Sequence, residues 1–207
     1  MNWYSTYLFP WCLDVVMARP AMMAQRPRVL AEVQEPVLEI GFGTGLNLPH
    51  YPARIRELHV IEPNPGMRSH LRRRLKQSPI RVKPAPLIEG RILPFAEGTF
   101  QSVVCTWTLC SIAEVDFALA EIHRVLRPGG RFFFIEHGLS PEPTVAKWQH
   151  RLTPIQKILG DGCHLDRPIA DLVRKQPFIW ETDERFCLPG EPRFASYTYR
   201  GVVRKEG

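Results

Sequence analysis

Short apolar runs and longer stripes of helical period take turns along the 207-residue chain. Val37, Leu38 and Ile40 read as a short buried strand and Leu58 to Ile61 as a second. Ile80 to Lys83 reads as a third, and Ser102 to Thr106 as a fourth, apolar on both faces as a central parallel strand should be. Between them, Pro65 to Gln77 reads as a helix with proline near its first turn. Val115, Leu119, Ile122 and Leu126 stripe another helix. The run RPGG ends it: Pro128 cannot continue the helix, and Gly129 and Gly130 supply a turn into a fifth strand, Arg131 to Ile135. Beyond Ser140, helical patterns over Trp148 to Leu159 and Pro168 to Lys175 precede a closing pair of strands, Trp180 to Leu188 and Phe194 to Arg204. The succession predicts an α/β fold with a parallel, doubly wound sheet, whose ligands bind beyond the carboxyl ends of its strands.

The first strand runs into Glu39-Ile40-Gly41-Phe42-Gly43-Thr44-Gly45. Glycines there let backbone N–H groups approach a ligand with no Cβ in the way. A dinucleotide fingerprint needs a third glycine where Leu46 stands, and no G-K-[ST] follows to make a P-loop. The turn suits a ligand with a zwitterionic amino-acid tail: backbone N–H groups for its carboxylate, Glu39 for its ammonium, directly or through water. Glu62 closes the second strand 21 residues after Gly41, where a carboxylate accepts from both hydroxyls of a ribose.

Bulk composition narrows the class. Apolar residues at 44% and charged residues at 23% are ordinary for one globular domain. The net charge of +6 owes much to RSHLRRRLKQ, residues 68–77, which reads as a solvated helix face or a contact for phosphates or an anionic surface. Five cysteines form no CxxC pair, which points to a reducing, cytoplasmic setting. Cys163 and His164 are adjacent, poor geometry for two ligands of one ion, so no metal centre is expected. The aromatic N-terminal stretch, broken by Pro10 and Asp14, is too short to span a bilayer. A lid over a substrate pocket, an interfacial anchor and a plain packed helix all suit its Trp3, Tyr4, Tyr7, Phe9 and Trp11.

With IEGRILPFAEGTF ahead of the fourth strand and EIHRVLRPGGRFFF after it, residues 36–137 resemble a class I S-adenosylmethionine-dependent methyltransferase. The motifs FPWCLD, EIGFGTGLN, IEPNP, VVCTWTLCSI, RVLRPGGRFFFIEH and GDGCHLDR are similar to the methyltransferase-like thiol S-methyltransferases of animals and their bacterial relatives. The resemblance implies a Rossmann-like, mainly parallel seven-stranded sheet in a single domain. Residues 1–34 would be a helical lid, 35–140 the cofactor-binding core and 141–207 closing helices and strands. It also implies that Glu89 accepts from the adenine amino group and that Gly90 offers a backbone N–H to the ring. The expected cofactor contacts are Glu39, Gly41, Gly43, Gly45, Asn47, Glu62, Pro63, Met67, Glu89, Gly90 and Thr106.

Methyl transfer from a sulfonium is an in-line displacement, so orientation carries much of the rate. A thiol acceptor reacts as thiolate, whereas an amine or phenol needs a positioned base. His137, at the end of the fifth strand, is the candidate base or substrate contact; Thr106 and Trp107 should lie near the methyl group, Trp107 as a wall. Gly160 to Arg167 either lines the acceptor pocket through Cys163, His164 and Asp166 or is a helix-ending turn held by Asp161 and Arg167. The expected partner is a small methyl acceptor, a thiol, with weak peripheral membrane contact through the N-terminal helix. Methylation of a lipid amine headgroup and cofactor binding without turnover are the rival readings. Nucleic acid is not expected, since no [ND]-P-P-[YF] follows the fourth strand.

Overall fold

Every residue of strand β1 (Val37–Ile40) is buried, because it has a parallel neighbour on each side. Strand β2 (Glu57–Ile61) pairs on one flank, with β3 (Arg81–Pro84) beyond it; β4 (Phe100–Thr106) and then β5 (Leu126–His137) extend the other flank. Two antiparallel strands, β6 (Phe178–Cys187) and β7 (Tyr197–Lys205), complete a seven-stranded sheet of order β3-β2-β1-β4-β5-β7-β6. The computed structural model describes residues 3–88 and 91–207.

Helices α1 (Phe9–Met17), α2 (Pro20–Met23) and α3 (Arg26–Leu30) precede the sheet. A one-turn 3-10 segment, Pro65–Met67, leads into α4 (Arg68–Gln77), and α5 (Val115–Val125) crosses from β4 to β5. Helices α6 (Pro143–Leu159) and α7 (Ile169–Arg174) follow β5, and the single turn α8 (Arg193–Ser196) separates β6 from β7. A π-helical turn, Tyr4–Leu8, runs directly into α1, and Pro10 stands at the change from one to the other inside a continuous helical segment. Among the described residues, no helix is long and apolar enough to cross a membrane.

The two faces of the sheet sort by strand parity. Leu38, Ile40, Val103, Cys105, Phe132 and Phe134 pack on one face with Leu119, Ile122, Ile169 and Val173. Val37, Val104, Phe133 and Ile135 pack on the other with Val29, Leu30 and Phe42. RPGG loops out of β5: Leu126 pairs with Phe100, the next ladder pair is Arg131 with Ser102, and Gly129 takes a φ of 74°. Parity also sends two buried carboxylates to opposite faces, Glu39 with Val37 and Glu136 with Phe134.

Candidate active site

Three glycines shape the turn after β1, for two different reasons. All have positive φ, at 74° for Gly41, 56° for Gly43 and 78° for Gly45. A Cβ on Gly41 would meet the Thr108 side chain at 2.1 Å, and one on Gly45 would meet Leu71 at 2.6 Å. A Cβ on Gly43 would find nothing nearer than the Gly41 carbonyl at 3.9 Å. Gly41 and Gly45 therefore shape the turn by packing, and Gly43 faces open space. That space belongs to a cavity of about 750 Å³, in the size range of small-molecule sites.

Strand order lays out the cavity wall. Glu62, Pro63 and Met67 follow β2; Gly41, Gly43 and Asn47 follow β1; Thr106 and Trp107 end β4; His137 ends β5. Of the expected contacts, Gly45 stands behind this wall, because its N–H bonds Phe42 O at 3.1 Å and Leu71 covers it. Glu89 and Gly90 lie outside the described residues. Phe9, Leu13, Val16 and Met17 of α1 form a further wall. Asp14 holds that helix against the glycine turn by accepting from Thr44 Oγ1 and from Arg74 at 2.7 Å, and Arg74 also donates to Thr44 O at 3.0 Å. One arginine of the basic run is thus a clamp and not a solvated charge.

Glu62 accepts from Gly43 N at 2.7 Å and from Asn64 N at 2.8 Å, so its carboxylate is pinned beside the open glycine. Burial raises its carboxyl above the ordinary value. Glu39 takes Asn47 Nδ2 at 2.8 Å on one oxygen and Tyr51 OH at 2.6 Å on the other. Burial pushes its carboxyl up to about 7, opposed by those two hydrogen bonds and by Arg26. Asn47 also donates to Thr106 Oγ1 at 3.0 Å and accepts from Arg26 Nη1 at 2.7 Å. Sequence reasoning missed Arg26. It is 4% exposed, its guanidinium lies 5.1 Å from the centre of the Trp107 ring, and burial pulls its pKa down to about 10. An arginine amid the methionines and alanines of residues 21–31 was its only signal.

The far end of the wall is assembled from distant segments. Trp107 adopts a φ of 51°, rare for a bulky side chain. Its backbone N–H donates to Ile135 O at 2.7 Å. Fully buried Glu136 accepts from Thr108 N at 2.8 Å and Leu109 N at 2.9 Å, with Cys110 N at 3.4 Å. It thus caps the turn after β4. His137 Nε2 lies 3.0 Å from Cys163 Sγ, which lies 3.7 Å from Cys110 Sγ. Burial alone would lower the imidazole pKa, but Cys163 and Glu136 hold it above the ordinary value. The Cys110 contact and burial both raise the Cys163 thiol.

Segment 160–167 follows α6 but is held otherwise than expected: Asp161 and Arg167 bond outside the helix, and of Cys163, His164 and Asp166 only Cys163 lines the cavity. It ends α6 and ties down the N-terminus, with Ser5 Oγ donating to Asp161 at 2.7 Å and Arg167 Nη1 donating to Leu109 O. It also lines the cavity through Asp161, Cys163 and Leu165.

Residues 38–134 match the family model described as a methyltransferase domain. The chain is 32% identical to the thiol S-methyltransferase TMT1A of Homo sapiens over 190 residues, 86% of this chain and 78% of that protein. It is 29% identical to the phosphatidylethanolamine N-methyltransferase of Cereibacter sphaeroides over 155 residues, 74% of each chain. The fold matches the N-methyltransferase NodS of Bradyrhizobium japonicum WM9, solved in complex with S-adenosyl-L-homocysteine, with a TM-score of 0.67 and 17% identity over 98% of this chain and 95% of that one. The open cradle at Gly43 and the pinned Glu62 beside it fit a cofactor with an amino-acid tail and a ribose. The chain belongs to the class I S-adenosylmethionine-dependent methyltransferases.

Proposed function

We propose that this methyltransferase acts on a small thiol. The cofactor binds across the ends of β1 and β2: its ribose meets Glu62, and its amino-acid tail lies in the open space at Gly43 with Arg26 and Asn47 at hand, since the N–H groups of Gly41 and Gly43 are already given to Ile61 O and Glu62. Bound there, it supplies a methyl group on a positively charged sulfur and departs as a neutral thioether, so no acid is required. Thr106 and Trp107 stand at the next strand end, and the acceptor lies beyond them beside Cys110, His137 and Cys163. The apolar residues of α1 keep water from the cavity and strengthen its electrostatics.

One observation carries the acceptor class. Among the described residues, every acidic side chain lining the cavity is already engaged: Glu114 by Arg91, Glu121 by Arg124, Asp161 by Ser5, Glu191 by Arg19, and Glu39 and Glu62 as above. An amine acceptor, protonated at neutral pH, would compete with Arg91, Arg124 and Arg19 for three of these carboxylates. With Glu62 given to the ribose and Glu39 buried, only Asp161, whose donors Ser5 and Asn64 are neutral, stands on the wall to hold it or take its proton. A thiol needs neither, only loss of its own proton. The likeness to a thiol S-methyltransferase supports the same reading.

A second reading, methylation of a lipid amine headgroup, draws on exposed apolar residues. Trp3, Tyr7 and Trp11 stand exposed near the N-terminus, and Ile155, Ile158 and Leu159 near the end of α6. The two groups are joined by Tyr4 OH donating to Leu159 O at 2.6 Å. The assay that separates the readings offers the purified protein S-adenosylmethionine with an alkyl thiol, hydrogen sulfide, an alkyl amine, a phenol or phosphatidylethanolamine vesicles. Methylated thiol with no methylated amine is the expected product; methylated lipid or amine alone overturns the thiol reading.

A further inference from the structure

From the cluster at the end of β5 we infer that Cys110, His137 and Cys163 bind one zinc-type divalent cation, leaving a coordination position open to the cavity. Sequence spacing gave no hint of it, because the three ligands come from the turn after β4, the end of β5 and the segment after α6. Their ligand atoms all lie within 4.8 Å of one another. Two thiolates on a tetrahedral zinc, each about 2.3 Å from the metal, stand about 3.8 Å apart. The Cys110 and Cys163 sulfurs are already at 3.7 Å. A disulfide would require them to close to about 2.05 Å. In a tetrahedral site the imidazole nitrogen stands about 3.6 Å from each sulfur; His137 Nε2 is now 3.0 Å from Cys163 and within 4.8 Å of Cys110.

The surroundings hold these ligands in place. Glu136 caps the turn that carries Cys110. The His164 N–H donates to Cys110 O at 2.9 Å, which fastens the Cys163 segment to the same turn. His137 Nδ1 is buried with no hydrogen-bond partner among the described residues. The ring's polar contact is therefore through Nε2, the atom facing the thiols.

Two cysteines and one histidine with a fourth position free is the ligand count of a catalytic zinc, not of a closed structural one. All three residues line the cavity. A thiol entering it would displace a metal-bound water, its sulfur lone pair forming the sulfur–metal bond and its proton passing to water. No electron changes hands, since zinc is redox-inert. The product is a metal-bound thiolate, the form a methyl acceptor must take. This fourth ligand rests on the thiol reading above; the three protein ligands do not.

The test strips the purified protein with chelator under reductant, then titrates it with Zn²⁺ against a colorimetric chelator and, separately, with Co²⁺. One ion per chain is expected, with the near-ultraviolet thiolate-to-cobalt band of a tetrahedral site. Cys163→Ser and His137→Ala should each weaken binding by more than about 100-fold, whereas Cys187→Ser, at an exposed thiol, should not. Circular dichroism establishes that each variant is folded, and the wild-type cobalt spectrum decides the matter without them. Substoichiometric zinc and a cobalt spectrum lacking the thiolate band would overturn the site. Adding an alkyl thiol to the cobalt form should shift its ligand-field bands; an unchanged spectrum in protein that methylates that thiol would overturn the open position. A cobalt site of the expected spectrum in protein that methylates only amines would sink the thiol reading and uphold the metal site.

Discussion

The two ends of the cavity are built by opposite means. The cofactor end is largely backbone: residues 41–47, contiguous in sequence, turn at the end of β1, and Glu62 is pinned to Gly43 N from the adjacent strand. The end proposed for the acceptor is side chains only, Cys110, His137 and Cys163, drawn from segments 26 or more residues apart. A contiguous turn can be recognised by its glycines, because positive φ and close approach leave few residue types able to stand there. An assembled cluster carries no such mark, since each member alone is an ordinary buried side chain.

Gly43→Val strikes the cofactor end hardest. A β-branched side chain at a φ of 56° is strained and fills the open cradle, so calorimetry should show S-adenosylmethionine affinity lowered by more than about 100-fold. The cobalt spectrum of the acceptor end should be unchanged in that variant, and near-normal cofactor binding would refute the placement of the ligand.

Glu136→Ala is the counterpart at the other end. It leaves the buried N–H groups of Thr108 and Leu109 without an acceptor, and urea unfolding should show about 3 kcal/mol of stability lost. Cofactor binding should change far less than stability; the reverse ranking would mean that the two ends are one unit.

Glu39 sits under the cofactor end among Arg26, Tyr51 and Glu62. Its carboxyl is held near 7 in the folded chain against an ordinary 4.5, so the native state binds this proton more tightly than the unfolded state. Stability should therefore fall by about 3 kcal/mol as pH rises from 4.5 to about 7. Denaturant midpoints over that window should decline in the wild type and flatten in Glu39→Gln; equal slopes would show that Glu39 is not the titrating group.

Smaller effects sharpen the picture. Glu62→Ala should weaken cofactor binding by about 1–3 kcal/mol, the loss of a charged acceptor from hydroxyl donors. Arg74→Ala frees Asp14, but the pair is partly exposed, so the cofactor dissociation constant should rise by no more than about fivefold. A larger rise would mean that α1 needs this clamp to wall the cavity.

Most of the sheet was legible before any coordinates. The strands over residues 37–40, 58–61 and 102–106 and the stripe over 115–126 recur within a few residues of their expected ends. Glu62 and the glycine turn meet as their spacing implied. Gly45 was grouped with its neighbours because sequence cannot tell a glycine facing a ligand from one covered by Leu71. Cys163 was weighed against adjacent His164, yet His164 turns to the carbonyls of Cys110 and Gly162.

By itself, the sequence determined what local chemistry can dictate: periodicity, turn residues, the acid that ends β2, and through them the α/β class and the cofactor. Only the tertiary structure decided which buried groups share a neighbourhood. It set Arg26 over Trp107, clamped α1 to the turn through Asp14 and Arg74, made Glu136 a cap, and brought two thiols and an imidazole together at the end of β5. The physical reason is that these contacts depend on strand order and on how loops cross the carboxyl edge of the sheet. Residue spacing along a chain does not encode either one.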